Sequence, residues 1–216
     1  MTLEVHLTVD GCGPQRLAEV LAEVHPAATV THVELDDSGE HAQLMATWHQ
    51  PAPLGDALRT GEQLAAHLAA RGIINRRLKV EADLGAASPD DDPAHPGRYL
   101  EHHVLVAVND ERRAALEAIA TRHQARVSQR ARRREGPVAE RFVNQRWWQP
   151  ADAAGAADAF TALLAALRAD GFTVLKATAE RVLHDTNLAL DGDWLGPTAG
   201  PAGPAEGHPT PHEERR

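Results

Sequence analysis

The order in which two hydrophobic periods succeed one another constrains this chain more than any other feature. Leu3, Val5, Leu7 and Val9 alternate with Glu4, His6 and Thr8, the two-residue period of a strand with one buried face. Pro14 then opens a helical stripe of Leu17, Val20, Leu21 and Val24. Val33 and Leu35 mark a second strand, and the turn signal Asp37-Ser38-Gly39 leads into a third that carries Leu44, Ala46 and Trp48 on one face. Leu54, Leu58, Ala65 and Leu68 form a second helical stripe, stopped by Gly72, and Ile74–Asp83 is a fourth strand. The predicted order is β-α-β-β-α-β.

After a Pro-, Gly- and Asp-rich stretch without periodicity, LGAASPDDDPAHPGR, the order repeats. Leu100–Val108 reads as a strand, and Asp110 as the cap of a helix bearing Leu116 and Ile119. Ala125–Ala131 and Val138–Trp148 read as a hairpin around Glu135-Gly136-Pro137. Phe160, Leu163, Leu164 and Leu167 line one helix face until Gly171, and Phe172–His184 is the last strand. LEVH at Leu3 matches LEHH at Leu100, and LKVEAD at Leu78 matches LKATAE at Leu175; both pairs lie 97 residues apart. A shared offset at both ends of one unit predicts an internal duplication. The expected organisation is a first unit over 1–84, a linker over 85–98, a second unit with a C-terminal extension over 99–195, and a disordered Pro/Gly-rich tail over 196–216. The extension HDTNLALDGDWL keeps apolar residues and is expected to fold back onto the second unit.

A βαββαβ unit resembles the ferredoxin-like fold, an antiparallel four-stranded sheet of order 4-1-3-2 with both helices on one face. The expected fold class is therefore α+β: two tandem ferredoxin-like units related by a pseudo-twofold. RYLEHHVLV, RFVNQRWW and LHDTNLALDGDWL also resemble segments of an uncharacterised bacterial family with such tandem repeats. That resemblance implies a fold and brings no activity with it.

Composition excludes several function classes. No apolar run reaches the roughly 18 residues of a membrane span, and MTLEVHLTVDG has neither the basic nor the apolar region of a signal peptide, so a cytoplasmic location is expected. One cysteine, Cys12, rules out an intramolecular disulfide or a Cys-rich zinc site. The net charge of −9 argues against polyanion binding by the chain as a whole. The charge is uneven, however, for residues 98–187 carry 14 basic against 11 acidic residues.

The polar alternates of the strands are where chemistry can sit. Helices on one sheet face leave Glu4, His6, Lys79 and Glu81 on the other in the first unit, and Glu101, His103, Lys176 and Glu180 in the second. Strand 3 of the second unit adds either Arg141 and Gln145 or Asn144 and Arg146 to that face. If both faces meet in a polar cleft, these eight residues are candidate ligands for a small anionic or phosphorylated molecule, with a divalent cation on the carboxylates as a possible cofactor. If they face water, they are an ordinary solvated surface. Carboxylates alternating with basic residues are similar to the strands of triphosphate tunnel enzymes, but their Glu-x-Glu-x-Lys opening is replaced by Glu4-x-His6-x-Thr8.

Two other activities are open. The triplets His6-Leu7-Thr8 and His184-Asp185-Thr186 resemble the paired His-x-Thr motifs of 2H phosphoesterases, which implies one histidine as base and one as acid. The basic run Arg126, Arg130, Arg132, Arg133 and Arg134, beside Arg141, Arg146, Trp147 and Trp148, admits an RNA- or protein-interaction module. His102 and His103 point to opposite strand faces, so they do not share a metal, and His102 replaces the core residue Val5.

Overall fold

The computed structural model describes residues 1–34, 42–51, 53–85, 98–129, 131–148 and 152–191. The elements run β1 (Thr2–Asp10), α1 (Pro14–Val24), β2 (Thr29–Glu34), β3 (Ala42–Pro51), α2 (Leu54–Ala69), β4 (Ile74–Asp83), β5 (Tyr99–Asn109), α3 (Arg113–Arg122), β6 (Ala125–Val127), β7 (Arg133–Glu135), β8 (Val138–Trp147), α4 (Ala153–Ala169) and β9 (Thr173–Asp185). All strands join one antiparallel sheet in the order β2-β3-β1-β4-β9-β5-β8-β6, with β7 also on β8. Each half of that order is the 4-1-3-2 arrangement of a ferredoxin-like unit.

Each unit keeps its own core. In the first, Leu3, Val5, Leu7, Leu78 and Val80 pack against Leu17, Val20 and Leu21 of α1 and Leu64 and Leu68 of α2. In the second, Val104, Val106 and Val143 meet Leu116 and Ile119 of α3 and Leu163 and Leu167 of α4. The α2 contact is close enough to dictate a residue: a Cβ on Gly61 would stand 2.6 Å from Leu78 Cδ1. The expected helix stops also hold, since Gly72 and Gly171 both take the left-handed φ that glycine tolerates (78° and 77°). No helix among the described residues is long and apolar enough to cross a membrane.

The units meet edge to edge rather than face to face. Pairing between β4 and β9 covers only Lys79–Asp83 against Glu180–Asp185, with a bulge next to Val80 and Glu81. The remaining edge of β4 is closed by the chain beyond β9: Thr186 N–H donates to Leu78 O at 3.1 Å, and Asn187 Nδ2 donates to Arg76 O at 3.0 Å. This seam leaves the helix-free faces of both units on the same side.

Three local expectations change. The hairpin predicted from Ala125 is split into β6 and β7, because Ser128 bridges to Phe142 through its hydroxyl and Arg141 donates to the carbonyls of Ser128 and Gln129, which removes them from the ladder. Asp110 does not cap α3; it begins a 3₁₀ turn, Asp110–Arg112, and its carboxylate accepts from Arg134 instead. The described part of the C-terminal extension, which ends at Asp191, packs on both units and not on the second alone, since Asp191 accepts from Gln43, Arg77 and Arg146. Leu35, the Asp37-Ser38-Gly39 turn, linker residues 86–97 and the tail 196–216 lie outside the described residues.

Candidate functional site

Strand alternation puts Glu4, His6 and Thr8 of β1 beside Arg77, Lys79 and Glu81 of β4, in the register His6 to Lys79 and Glu4 to Glu81. The same rule puts Glu101 and His103 of β5 beside Glu180 and Thr178 of β9. On β8 it selects Asn144 and Arg146 for this face and turns Arg141 and Gln145 to the helix side. Because the seam joins the two faces, one cavity of about 280 Å³ opens over them. Glu4, His6, Lys79 and Glu81 line it from the first unit, and Glu101, His103, Lys176 and Glu180 from the second. Val33, Met45 and Phe142 give it apolar wall.

The floor is an ion network that crosses the seam. Lys79 Nζ lies 2.6 Å from Glu81 Oε1 and 2.5 Å from Glu101 Oε2. Glu81 Oε2 is 2.8 Å from His6 Nε2, and Glu101 Oε1 accepts from Arg146 Nε at 2.9 Å. All four charged groups at the centre are buried or nearly so. Burial alone would raise the Glu81 carboxyl, but Lys79 and His6 hold it down to about 2. Glu101 is likewise held well below the usual carboxylate range, against its burial, by Lys79 and Arg146. The same network keeps the Lys79 ammonium charged despite the burial that opposes it.

The two histidines are held alike. His6 Nδ1 meets Thr47 Oγ1 at 2.9 Å, and His103 Nδ1 donates to Asn144 Oδ1 at 2.7 Å. Thr47 and Asn144 stand opposite their histidines across the β1–β3 and β5–β8 pairs, again 97 positions apart. Each Nε2 faces carboxylates: Glu81 and Glu4 (3.6 Å) for His6, Glu180 (3.2 Å) and Glu101 (3.5 Å) for His103. Burial works against a charged His103, yet Glu101 and Glu180 keep its pKa well above the ordinary histidine range. Neither ring sits in bulk solvent, their side chains being 16% and 26% exposed.

Several members of the site were not singled out in the sequence. Arg77 donates to Asp185 Oδ1 at 2.9 Å and to Asp191 Oδ1 at 2.9 Å, and Tyr99 Oη donates to Asp185 Oδ2 at 2.7 Å. Alternation in NRRLKVEAD was signal enough for Arg77, two residues before Lys79. Asp191 had no such signal, since it lies on the 3₁₀ turn Leu188–Asp191 beyond any periodic element.

The arrangement also bears on the other chemistries considered. Glu81, Glu101 and His103 offer ligand atoms within 4.8 Å of one another, a spacing a cation could use. Lys79 Nζ already lies against both carboxylates, so an ammonium supplies the positive charge there. His184 pairs with Val80, whose side chain is in the core, so it lies on the face opposite His6 and the two His-x-Thr triplets do not converge. Of the basic run, Arg132 pairs with Glu140, Arg133 with Glu135 and Arg134 with Asp110; Arg130 lies outside the described residues, Arg141 is buried on the helix side of the sheet, and Arg146 is held in the cavity floor.

No protein-family model and no curated protein matches the sequence. Among solved structures, the chain is similar to an anthrone oxidase-like protein, with 17% identity, a TM-score of 0.28, and coverage of 85% of this chain and 92% of that one. It is also similar to a mutant chlorite dismutase from Candidatus Nitrospira defluvii, with 14% identity, a TM-score of 0.27, and coverage of 89% and 93%.

Proposed function

We propose that this protein binds a small, partly apolar organic anion in the cavity above the seam. The observation that carries the reading is the convergence of Glu4, His6, Lys79 and Glu81 with Glu101, His103, Lys176 and Glu180 on one concave space. A volume of about 280 Å³ falls just below the range of drug-sized ligand pockets, roughly 300 to 1,000 Å³, which suits a small molecule. Apolar wall from Val33, Met45 and Phe142 suits a hydrocarbon body, and the basic side chains among the polar lining suit one charged head group.

Charge matching favours a monoanion over a phosphate. Lys79, Arg77 and Arg146 each already face two carboxylates. A dianionic phosphate would meet those carboxylates as well as the cations, which costs like-charge repulsion in a poorly solvated site. Lys176 makes no ion pair among the described residues and is exposed at the cavity wall, so it is the cation open to an incoming head group.

A calorimetric and thermal-shift panel tests this. Aliphatic and aromatic monocarboxylates, inorganic phosphate, pyrophosphate, nucleotides and magnesium or manganese ions are titrated against the full chain at matched ionic strength. Saturable binding of carboxylates, weakened in Lys176→Ala, supports the reading. Tighter binding of phosphates restores the phosphorylated-ligand alternative, and no response to any probe sinks ligand binding altogether.

A further inference from the structure

We propose that Arg77, Arg146 and Gln43 form a carboxylate-binding seat at the end of this cavity, and that Asp191 is its built-in occupant, exchangeable for the carboxylate of a ligand. The exchange rests on the function proposed above; the seat itself rests on geometry. Asp191 Oδ1 accepts from Arg77 Nη1 at 2.9 Å and from Gln43 Nε2 at 2.8 Å, and its Oδ2 accepts from Arg146 Nη2 at 2.6 Å. Three donors from β3, β4 and β8, drawn from both units, thus converge on one carboxylate. Two guanidinium groups on the two oxygens of a carboxylate, with an amide beside them, are the arrangement that recognises a free acid.

The attachment of Asp191 differs from that of the other carboxylates in the floor. Glu81, Glu101 and Asp185 project from central strands, so the sheet holds them in place. Asp191 ends a single 3₁₀ turn outside the sheet, and it is the only buried residue of that turn. The last firm anchor before it is Asn187 on the β4 edge. The seat also stays neutralised without it, since Arg77 retains Asp185 and Arg146 retains Glu101. Arg77, Arg146, Gln43 and Asp191 all line the cavity, so a ligand there reaches the seat directly. A tethered carboxylate competes with a free one through its effective concentration alone, without contacts the free acid lacks.

The test uses the full chain with Asp191→Ala and, as a shape-conserving partner, Asp191→Asn, titrated with formate and acetate against chloride at equal ionic strength. Asp191→Ala is expected to bind acetate about tenfold or more tightly than the wild type. Its melting temperature, lowered by the substitution, should rise with formate or acetate and not with chloride. Folded Asp191→Ala with the acetate affinity of the wild type overturns the proposal. If neither variant folds unaided, refolding that formate rescues and chloride does not supports the seat, and refolding that neither rescues overturns it. Acetate binding by Asp191→Ala together with a wild type that binds no probe keeps the seat and removes the function proposed above. Wild-type carboxylate binding that the substitution leaves unchanged does the reverse.

Discussion

His102 and His103 are consecutive in β5, yet the two faces of the sheet give them opposite environments. His102 is fully buried under α4, stacked on Phe160 with ring centroids 4.3 Å apart, and donates from Nδ1 to Gln145 Oε1 at 2.8 Å. Gln145 in turn donates to His123 O, which fixes its oxygen as the acceptor and leaves His102 Nε2 buried without a partner among the described residues. His103 lies in the ion network, with Glu180 and Glu101 at its Nε2. Burial dominates for His102 and lowers its pKa, whereas for His103 the carboxylates overcome burial and raise it. Burial by itself therefore does not set the charge of a histidine; what matters is whether the buried ring meets an anion.

The two faces also respond oppositely to pH. His102 is neutral in the fold with a lowered pKa, so the unfolded chain binds the extra proton as pH falls through about 6.5, and stability falls with it. His103 has a raised pKa, so its contribution is fully present below about 6.5 and is lost as pH rises through the folded value. Glu81 contributes above about 4.5 and loses that contribution as pH falls towards about 2.

The largest disruption of this contrast is Glu101→Gln. It leaves Lys79 and Arg146 short of a carboxylate in a buried setting, and the expected cost is about 3–5 kcal/mol, read from urea unfolding. A loss below about 1 kcal/mol would show that Glu81 and Asp191 suffice to hold the cations. Next comes His102→Leu, which fills similar space but strands Gln145 Oε1; about 1–3 kcal/mol is expected at pH 8. The same variant should lose the decline in stability expected of the wild type as pH falls below about 6.5, and an unchanged decline would mean that His102 is not its source. His103→Gln should cost about 1.5–3 kcal/mol near pH 6 and flatten the alkaline side of the stability profile. Its profile staying parallel to the wild type above pH 7 would contradict a protonated His103. The smallest effect belongs to the exposed Arg132–Glu140 pair, where Arg132→Ala should cost no more than about 1 kcal/mol and shift no pH limb.

Much of this was legible in the chain. Period-two alternation sorted Glu101 and His103 from His102, and assigned Glu4, His6, Lys79 and Glu81 to one face, because side chains of a strand alternate whatever the strand pairs with. Element order was enough for the 4-1-3-2 arrangement of each half. Alternation also held the answer for Arg77, which the paired Glu-x-His strands overshadowed. Other members depended on register. The choice of Asn144 and Arg146 over Arg141 and Gln145 needed the β5–β8 pairing, and the segregation of His184 from His6 needed β9 against β4.

The sequence by itself determined which residues share a strand face and which stripe each helix buries, since both follow from local backbone period. Only the tertiary structure decided that β4 and β9 join edge to edge, so that Lys79 of one unit lies between Glu81 and Glu101 of both. It also decided that Asp191, from an aperiodic turn, ends between Arg77 and Arg146. Those contacts between units and turn span from 22 to 114 residues of chain, and no local period encodes a partner at that distance.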